Sequence, residues 1–430
     1  MTDDGENHGK RDYYMKRILV RGGMNPLKPL NLSQILAYDK IGGNTGNILY
    51  LTGVLRSIYA DDVEVDVDGY AGEGGLYNSN DIDQINQIYD AYLIPLADAF
   101  RPDFVNQLNS LTKLVKQLKI PCHILSVGIR GEYDMDVHCQ YPFDEQVKEF
   151  VKAVLEKSPI IGVRGEITAE YLQKFGLSEE KDYTVIGCPS MYIFGKQIHR
   201  RKFCLDKSSR LSLNFNPNIQ EITENLLECA RSQFGEWLYV AQGINEIKCL
   251  WLGLSTPDLK NEYYLKGLFE ELYGENHVRA FISAGDWIRY MNTIDLSIGG
   301  KLHGNIAAVL GGAPTIFIPS DARMQELVSY HSFPSIAAKD WKKIENIEKL
   351  VDKIDLDKYL SVHTKNFEHY CEFLEKLEIP NIYSEHQAEK EELLSFSRPV
   401  TSILNCSKYE MLQRLTEYKN AAESFLLANK

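Results

Sequence analysis

The stretch "SIGGKLHGNIAAVLGGAP" (297–314) decides the fold, because within it an apolar, strand-like run stops at a glycine pair and a helical period begins. Lys301 and His303 stand at that change of period, ahead of a helix whose first backbone N–H groups are free to meet an anion. A strand feeding a glycine turn and then a helix is the repeating unit of a parallel α/β sheet. The same unit recurs on both sides. Downstream come "APTIFIPS" (313–320) and a helix over 321–330. Upstream lie "LSLNFN" (211–216), a helix over 219–234, "EWLYVAQ" (236–242) and the apolar run "IKCLWLGL" (247–254). A helix over 261–273, "VRAFIS" (278–283), a helix near 286–291 and "TIDLSIGG" (293–300) complete that half.

A second series precedes it. "RILV" (17–20) reads as a strand, and "IGGNTGNILYLTGVLRSIY" (41–59) as a glycine-rich turn opening a helix. Then follow the buried segment "IYDAYLIPLADAF" (88–100), a helix over 103–119, "KIPCHILSVGI" (119–129), a helix over 144–157, "PIIGV" (159–163), a helix over 166–175 and "YTVIG" (183–187). The basic, aperiodic stretch "FGKQIHRRKFCLDKSSR" (194–210) reads as a linker. The expectation is an α/β protein of two Rossmann-like, doubly wound domains facing a cleft, 1–200 and 201–335. Residues 336–430 form a helical C-terminal extension, whose stripe Met411, Leu415, Tyr418, Ala422 and Phe425 packs back on the body.

At 430 residues the chain is long enough for two cores, and 44% hydrophobic with 25% charged residues is ordinary for a globular protein. The net charge of −13 argues against nucleic acid as a partner and requires a local basic cluster for any anionic ligand. The first residues, "MTDDGENHGKRDYYMK", carry no apolar core of signal-peptide length, and no run reaches the roughly 18 apolar residues of a spanning helix, so the expected compartment is the cytoplasm. Eight cysteines without a CxxC fit neither a zinc site nor a disulfide scaffold, and no metal is expected.

Ligands of doubly wound sheets bind beyond the carboxyl ends of the strands. Lys301 is there as a charge partner and His303 as a proton donor, the alternative being a histidine that only caps its helix. Arg164 follows "PIIGV" and suits a carboxylate or phosphate, unless it merely pairs with Glu166. Asp321 and Arg323 follow "APTIFIP", with an N-cap and a solvated first turn as the bland reading. Ser190, in a Cys-Pro-Ser turn, is a ligand contact or a structural turn. "GGNTGN" (42–47) lacks the dinucleotide and P-loop spacings, which leaves Asn44 and Asn47 as candidates for sugar hydroxyls.

Taken together, "YDAYLIPLADAFRPDF", "LKIPCHILSVGIRG", "SPIIGVRGEITAEYLQKFG", "VIGCPSMYIFG" and "DWIRYMNTIDLSIGGKLHGNIAAVLGGAPTIFIPSDARMQEL" resemble the polysaccharide pyruvyl transferases over roughly residues 40–335. The resemblance implies a B-type glycosyltransferase-like fold and transfer of pyruvate from phosphoenolpyruvate to a sugar of a surface polysaccharide precursor, as a ketal. It places the family's Arg-x-His-Gly motif on Lys301, Leu302, His303 and Gly304, with His303 as general acid and Lys301 on the donor's acid groups. Lysine stands here in place of arginine, so the charge is kept and the two-pronged geometry is not. Arg164 then binds the donor acid, Asp321 and Arg323 line the cleft, and Asp321 or neutral His303 takes the hydroxyl proton. The implied partners are phosphoenolpyruvate and a glycan or lipid-linked oligosaccharide acceptor. No resident cofactor and no nucleic acid are implied, and any membrane association is at most peripheral, at the inner face; a homo-oligomer is left open. A nucleotide-sugar-dependent glycosyltransferase of the same architecture, or a non-catalytic glycan-binding homologue, are the alternatives.

Overall fold

The computed structural model describes residues 15–28, 30–202, 204–216, 219–253, 270–341, 344–383, 392–395, 397 and 399–428. The first half is a parallel sheet in the order β2-β1-β3-β4, built from β1 (Lys16–Val20), β2 (Val63–Val67), β3 (Ala91–Pro95) and β4 (Cys122–Leu125). β5 (Ile161–Val163) and β6 (Tyr183–Val185) pair in parallel beside it, and a bridge between Val127 and Val163 joins them to the β4 edge. All five residues of β3 are buried, as the apolar run "AYLIP" requires of a strand covered on both faces. The helix Asp144–Leu155 buries Val147, Phe150, Val151 and Val154 along one face; its acidic first turn and Lys152 in its last complement the helix dipole.

The second half is a five-stranded parallel sheet, β11-β10-β7-β8-β9. Its strands are β7 (Arg210–Asn214), β8 (Glu236–Ala241), β9 (Val278–Ala280), β10 (Leu296–Gly299) and β11 (Thr315–Phe317). The two parallel sheets with their covering helices are the two Rossmann-like lobes read from the sequence, and a helical C-terminal region follows them. Ile247–Leu252 of "IKCLWLGL" belong to the helix Ile244–Leu252 rather than to another strand, because the Glu246 carboxylate accepts the Gly243 N–H at the helix start and Gly253 ends the helix in the left-handed region at φ +68°. The helix expected over 261–273 lies almost wholly outside the described residues; Glu270–Gly274 is a π-helical turn.

The lobes are stitched together by backbone. Thr45 N–H donates to the Gln242 carbonyl and Ile244 N–H to that of Gly43, both at 2.9 Å, while Ala322 N–H meets the Gly131 carbonyl at 3.1 Å. The helix Leu360–Lys376 returns the chain to the first lobe, where Ile382 N–H donates to the Ser57 carbonyl. The last helix, Lys408–Ala428, lies against the helix Leu32–Ala37, whose Ile35 and Leu36 are buried in the core of the second lobe, and against the helix Ile244–Leu252 of that lobe. Its burial differs from the expected stripe: Ala421 is the buried residue, Leu415 and Tyr418 are partly covered, and Met411 is exposed. The helix touches two short supports instead of lying along one groove, so no single stripe runs its length.

Candidate active site

Arg164 closes β5 and turns inward. It is fully buried, its Nε donates to the Ser126 carbonyl at 3.1 Å, and its guanidinium carbon lies 5.0 Å from the Tyr50 ring. Nη1 and Nη2 are buried without any hydrogen-bond partner. Buried charged donors left unsatisfied cost free energy, which makes these two nitrogens the candidate contacts for an anion. The carbonyl that holds Nε belongs to Ser126, itself at φ +56°, a conformation non-glycine residues rarely adopt.

His303 opens the helix Leu302–Leu310 from the other lobe and faces the same seam. Its Nε2 is 3.9 Å from the Cys188 Sγ, and its ring centre is 6.3 Å from that of Tyr50. Gly46 makes room for it, since a Cβ there would stand 2.6 Å from Nδ1. Burial, then Arg164 and Arg323, hold the imidazole well below the usual histidine range, with Asp98 opposing. In the free protein His303 is therefore neutral at pH 7.

Arg323 donates from Nη1 to Asp98 at 3.0 Å and from Nη2 to Asp321 at 3.3 Å, and its buried Nε has no partner. Asp98, directly beyond β3, is the hub of this cluster, with Arg101 at 3.0 Å and Arg130 at 3.8 Å. Burial alone would raise its pKa; Arg323, Arg101 and Arg130 outweigh burial and keep it ionised below the usual carboxylate range. Asp321 is also the N-cap of the helix Ala322–His331, accepting Met324 N–H at 2.8 Å.

Lys301 has a different occupation. Its Nζ donates to Glu246 and to the Tyr239 hydroxyl, each at 3.0 Å, and the Tyr239 hydroxyl donates to Glu246. Glu246 in turn caps the helix Ile244–Leu252. The ammonium is bound into the second lobe's own framework. Leu302 sits in the hydrophobic core, and Gly304 is required by the close approach of Asn214, whose Oδ1 would lie 1.9 Å from a Cβ. Asn44 uses its Oδ1 to accept Gly46 N–H, and Asn47 ties the loop to the Ile41 and Gly42 carbonyls at 3.0 Å. Ser190 is fully buried and accepts the Cys188 thiol at 3.3 Å.

The structure thus brings Arg164, His303 and Arg323 to one seam, places Asp321 at its edge, and leaves Lys301, Leu302, Gly304 and Ser190 in supporting positions. Sequence reasoning missed Asp98 and Glu326. The latter reaches from the second lobe to the first, accepting Thr168 N–H at 2.9 Å and its hydroxyl at 3.0 Å. It caps the helix Glu166–Gln173, whose own N-cap, Gly165, has no side chain. Burial pushes the Glu326 carboxyl up to about 8, against the Thr168 bonds and Arg164. Asp98 could have been found from its place after an apolar strand; nothing local marks Glu326.

Two α/β lobes thus meet around a buried guanidinium with one of its three nitrogens hydrogen-bonded and a histidine from the other lobe. The chain belongs to the polysaccharide pyruvyl transferase family, whose profile matches residues 44–322. No curated protein sequence matches it. Among solved structures it is similar to a UDP-GlcNAc 2-epimerase of Methanocaldococcus jannaschii, with 12% identity, 84% of this chain and 99% of that one covered, and a TM-score of 0.45. It is also similar to the Anabaena HepE protein in complex with UDP (10%, 96% and 99%, 0.40) and to an uncharacterised protein of Klebsiella pneumoniae (11%, 75% and 90%, 0.40).

Proposed function

We propose that the protein transfers pyruvate from phosphoenolpyruvate to a sugar of a surface polysaccharide precursor and closes it as a ketal. The observation that carries this reading is the pair of unpartnered Arg164 Nη groups, buried where the lobes meet. Two parallel N–H donors match a carboxylate in two-pronged fashion. Arg323, with its free Nε, is the second cation and takes the phosphate end. Burial and the two arginines keep His303 neutral; three negative charges on the donor offset the arginines and, placed beside the buried ring, favour its charged form, so the imidazole gains a proton as the donor binds.

The steps then balance. His303 gives that proton to the donor's methylene carbon, which becomes a methyl, and one sugar hydroxyl attacks the adjacent carbon. Phosphate leaves as hydrogen phosphate, carrying off the first hydroxyl's proton, and a second hydroxyl of the same sugar attacks to close the ring. Neutral His303 receives a hydroxyl proton in turn. Asp321 is the less suitable base, since its two oxygens are committed to Met324 N–H and Arg323. The route uses no resident metal or cofactor. Its partners are phosphoenolpyruvate and a glycan or lipid-linked oligosaccharide, met in the cytoplasm or at the inner membrane face; no described helix is long and apolar enough to cross a membrane.

The test is inorganic phosphate release from phosphoenolpyruvate. Release that depends on a sugar acceptor supports the reading. Release of nucleoside diphosphate from nucleotide sugars, with no phosphate from phosphoenolpyruvate, points to a glycosyltransferase, and glycan binding that survives His303→Ala with no response to either donor points to a non-catalytic homologue.

A further inference from the structure

The two ring nitrogens of His303 have different surroundings. Nε2 faces sulfur: the Cys188 Sγ stands 3.9 Å away, a long contact of the kind that tightens when a substrate is seated. Nδ1 faces a glycine. It has no hydrogen-bond partner among the described residues, and Gly46 leaves open the space where a Cβ would stand 2.6 Å from it. The residue as a whole is half-buried.

The sulfur's own hydrogen is already placed. Cys188 Sγ donates to the Ser190 hydroxyl oxygen at 3.3 Å, so toward the ring it is left to accept. A neutral imidazole donates from one nitrogen and accepts at the other. The arrangement therefore calls for the hydrogen on Nε2, aimed at sulfur, and a lone pair on Nδ1. That sulfur is itself steadied from the second lobe. The Cys188 N–H donates to His331 Nε2 at 3.0 Å, and Gly187, at φ +67°, permits the approach, since a Cβ there would lie 2.5 Å from the same nitrogen. His331 ends the helix Ala322–His331, whose first turn carries Arg323. One helix thus brings a cation to the seam at its start and holds the Cys188 turn at its end.

We infer that His303 takes up and delivers its proton through Nδ1, with Cys188 as a positioning residue that fixes the hydrogen on Nε2 and His331 as the support of Cys188. What the proton does there rests on the pyruvyl-transfer reading; the hydrogen on Nε2 of the free protein does not. In the transfer step the enol double bond supplies the electron pair of the new C–H bond, the pair of the broken N–H bond stays on Nδ1, and Nε2–H is untouched.

The experiment is nitrogen-15 NMR of the full chain labelled in its histidine rings, near neutral pH, with His303 assigned by the signals missing from His303→Gln. Wild type is expected to show the Nε2–H form of His303. Cys188→Ala should shift the ring toward a mixture of both forms and lower kcat several-fold, with KM for phosphoenolpyruvate unchanged. Cys188→Ser, whose hydroxyl oxygen can accept the same bond, should restore both. Gly46→Ala, whose methyl enters the space at Nδ1, should cost turnover and leave the Nε2–H form in place. An Nδ1–H form or an even mixture in the wild type overturns the assignment, as does a Cys188→Ala ring identical to wild type; where Cys188→Ala does not fold, the wild-type spectrum decides. If wild type shows Nε2–H but phosphoenolpyruvate releases no phosphate with any sugar, the transfer reading fails and the hydrogen's place on Nε2 stands. If phosphate is released but the free ring carries its hydrogen on Nδ1, the role of Cys188 fails and the transfer reading stands.

Discussion

Arg164 and Lys301 occupy equivalent places in the two lobes, each just past the end of an inner strand and just before a helix. Their surroundings differ completely. Arg164 is buried with two nitrogens unsatisfied; Lys301 is fully engaged by Glu246 and Tyr239. Position at a strand end makes a cation eligible to bind a ligand, and the count of its hydrogen-bond partners decides whether it does. The family-type basic residue at 301 thus serves the architecture of the second lobe, and in the proposed reaction Arg164 and Arg323 are the cations assigned to the anion.

The sharpest way to break this contrast lies beside both residues. His303→Ala should lower turnover by about 10²–10⁴-fold, the range for a lost general acid, as read by phosphate release. Unchanged turnover removes His303 from the chemistry. Next in size is Arg164→Met, which should weaken phosphoenolpyruvate binding by about 10²-fold, since two charge-assisted hydrogen bonds at roughly 1.5 kcal/mol each are lost. Lys301→Met should leave donor affinity within a few-fold by calorimetry. Its effect should appear in unfolding instead, as a loss on the order of 2 kcal/mol, below the roughly 3–5 kcal/mol of fully buried pairs because Lys301 keeps some solvent contact. Equal losses of donor affinity in Arg164→Met and Lys301→Met would erase the distinction.

Proton uptake sharpens it further. Because His303 is neutral when free and charged when the donor is bound, calorimetry in buffers of different ionisation enthalpy should show uptake of about one proton per donor at pH 7. The second-order rate constant kcat/KM should rise as pH falls from about 8 toward 6. The smallest effect concerns stability. Glu326 holds its proton up to about 8, so the folded state binds more protons than the unfolded one between the ordinary carboxyl range and that value, and stability falls as pH rises through it. His331, held at about 3 by burial, and His123, at about 4, act oppositely: their contribution is present above about 6.5 and is lost as pH falls. The windows overlap; two histidines outweigh one carboxyl up to about 6.5 and the carboxyl alone acts from there to about 8, so melting temperature should peak near 6.5 and Glu326→Gln should flatten the fall above it.

Most strand-to-helix transitions are legible in the sequence because each leaves a glycine or a charge after an apolar run. Arg164, His303 and Arg323 stand out that way. β2 does not, since "VEVDV" alternates valine with acids and only Val63 and Val65 are buried. The occupation of Lys301 is hidden as well, because its partner Glu246 is remote in sequence and reads as an ordinary helix-opening acid. Asp321 illustrates the opposite limit: its cap role is readable from the sequence and is present, and the carboxylate also accepts from Arg323. Glu326 is illegible for a deeper reason. Its task is defined by a helix of the other lobe that lacks a cap, and only the assembled molecule shows that deficiency.

The final helix carries a mechanical consequence. It rests on Leu32–Ala37 and Ile244–Leu252, both of which bury side chains in the core of the second lobe. A piece contributed by the opening of the chain is thereby clasped onto the distal half, like a hem held under a fastener. Removal of the last twenty or so residues should loosen that clasp, read as faster hydrogen exchange of Leu32–Ala37, without touching any group that faces Arg164 or His303.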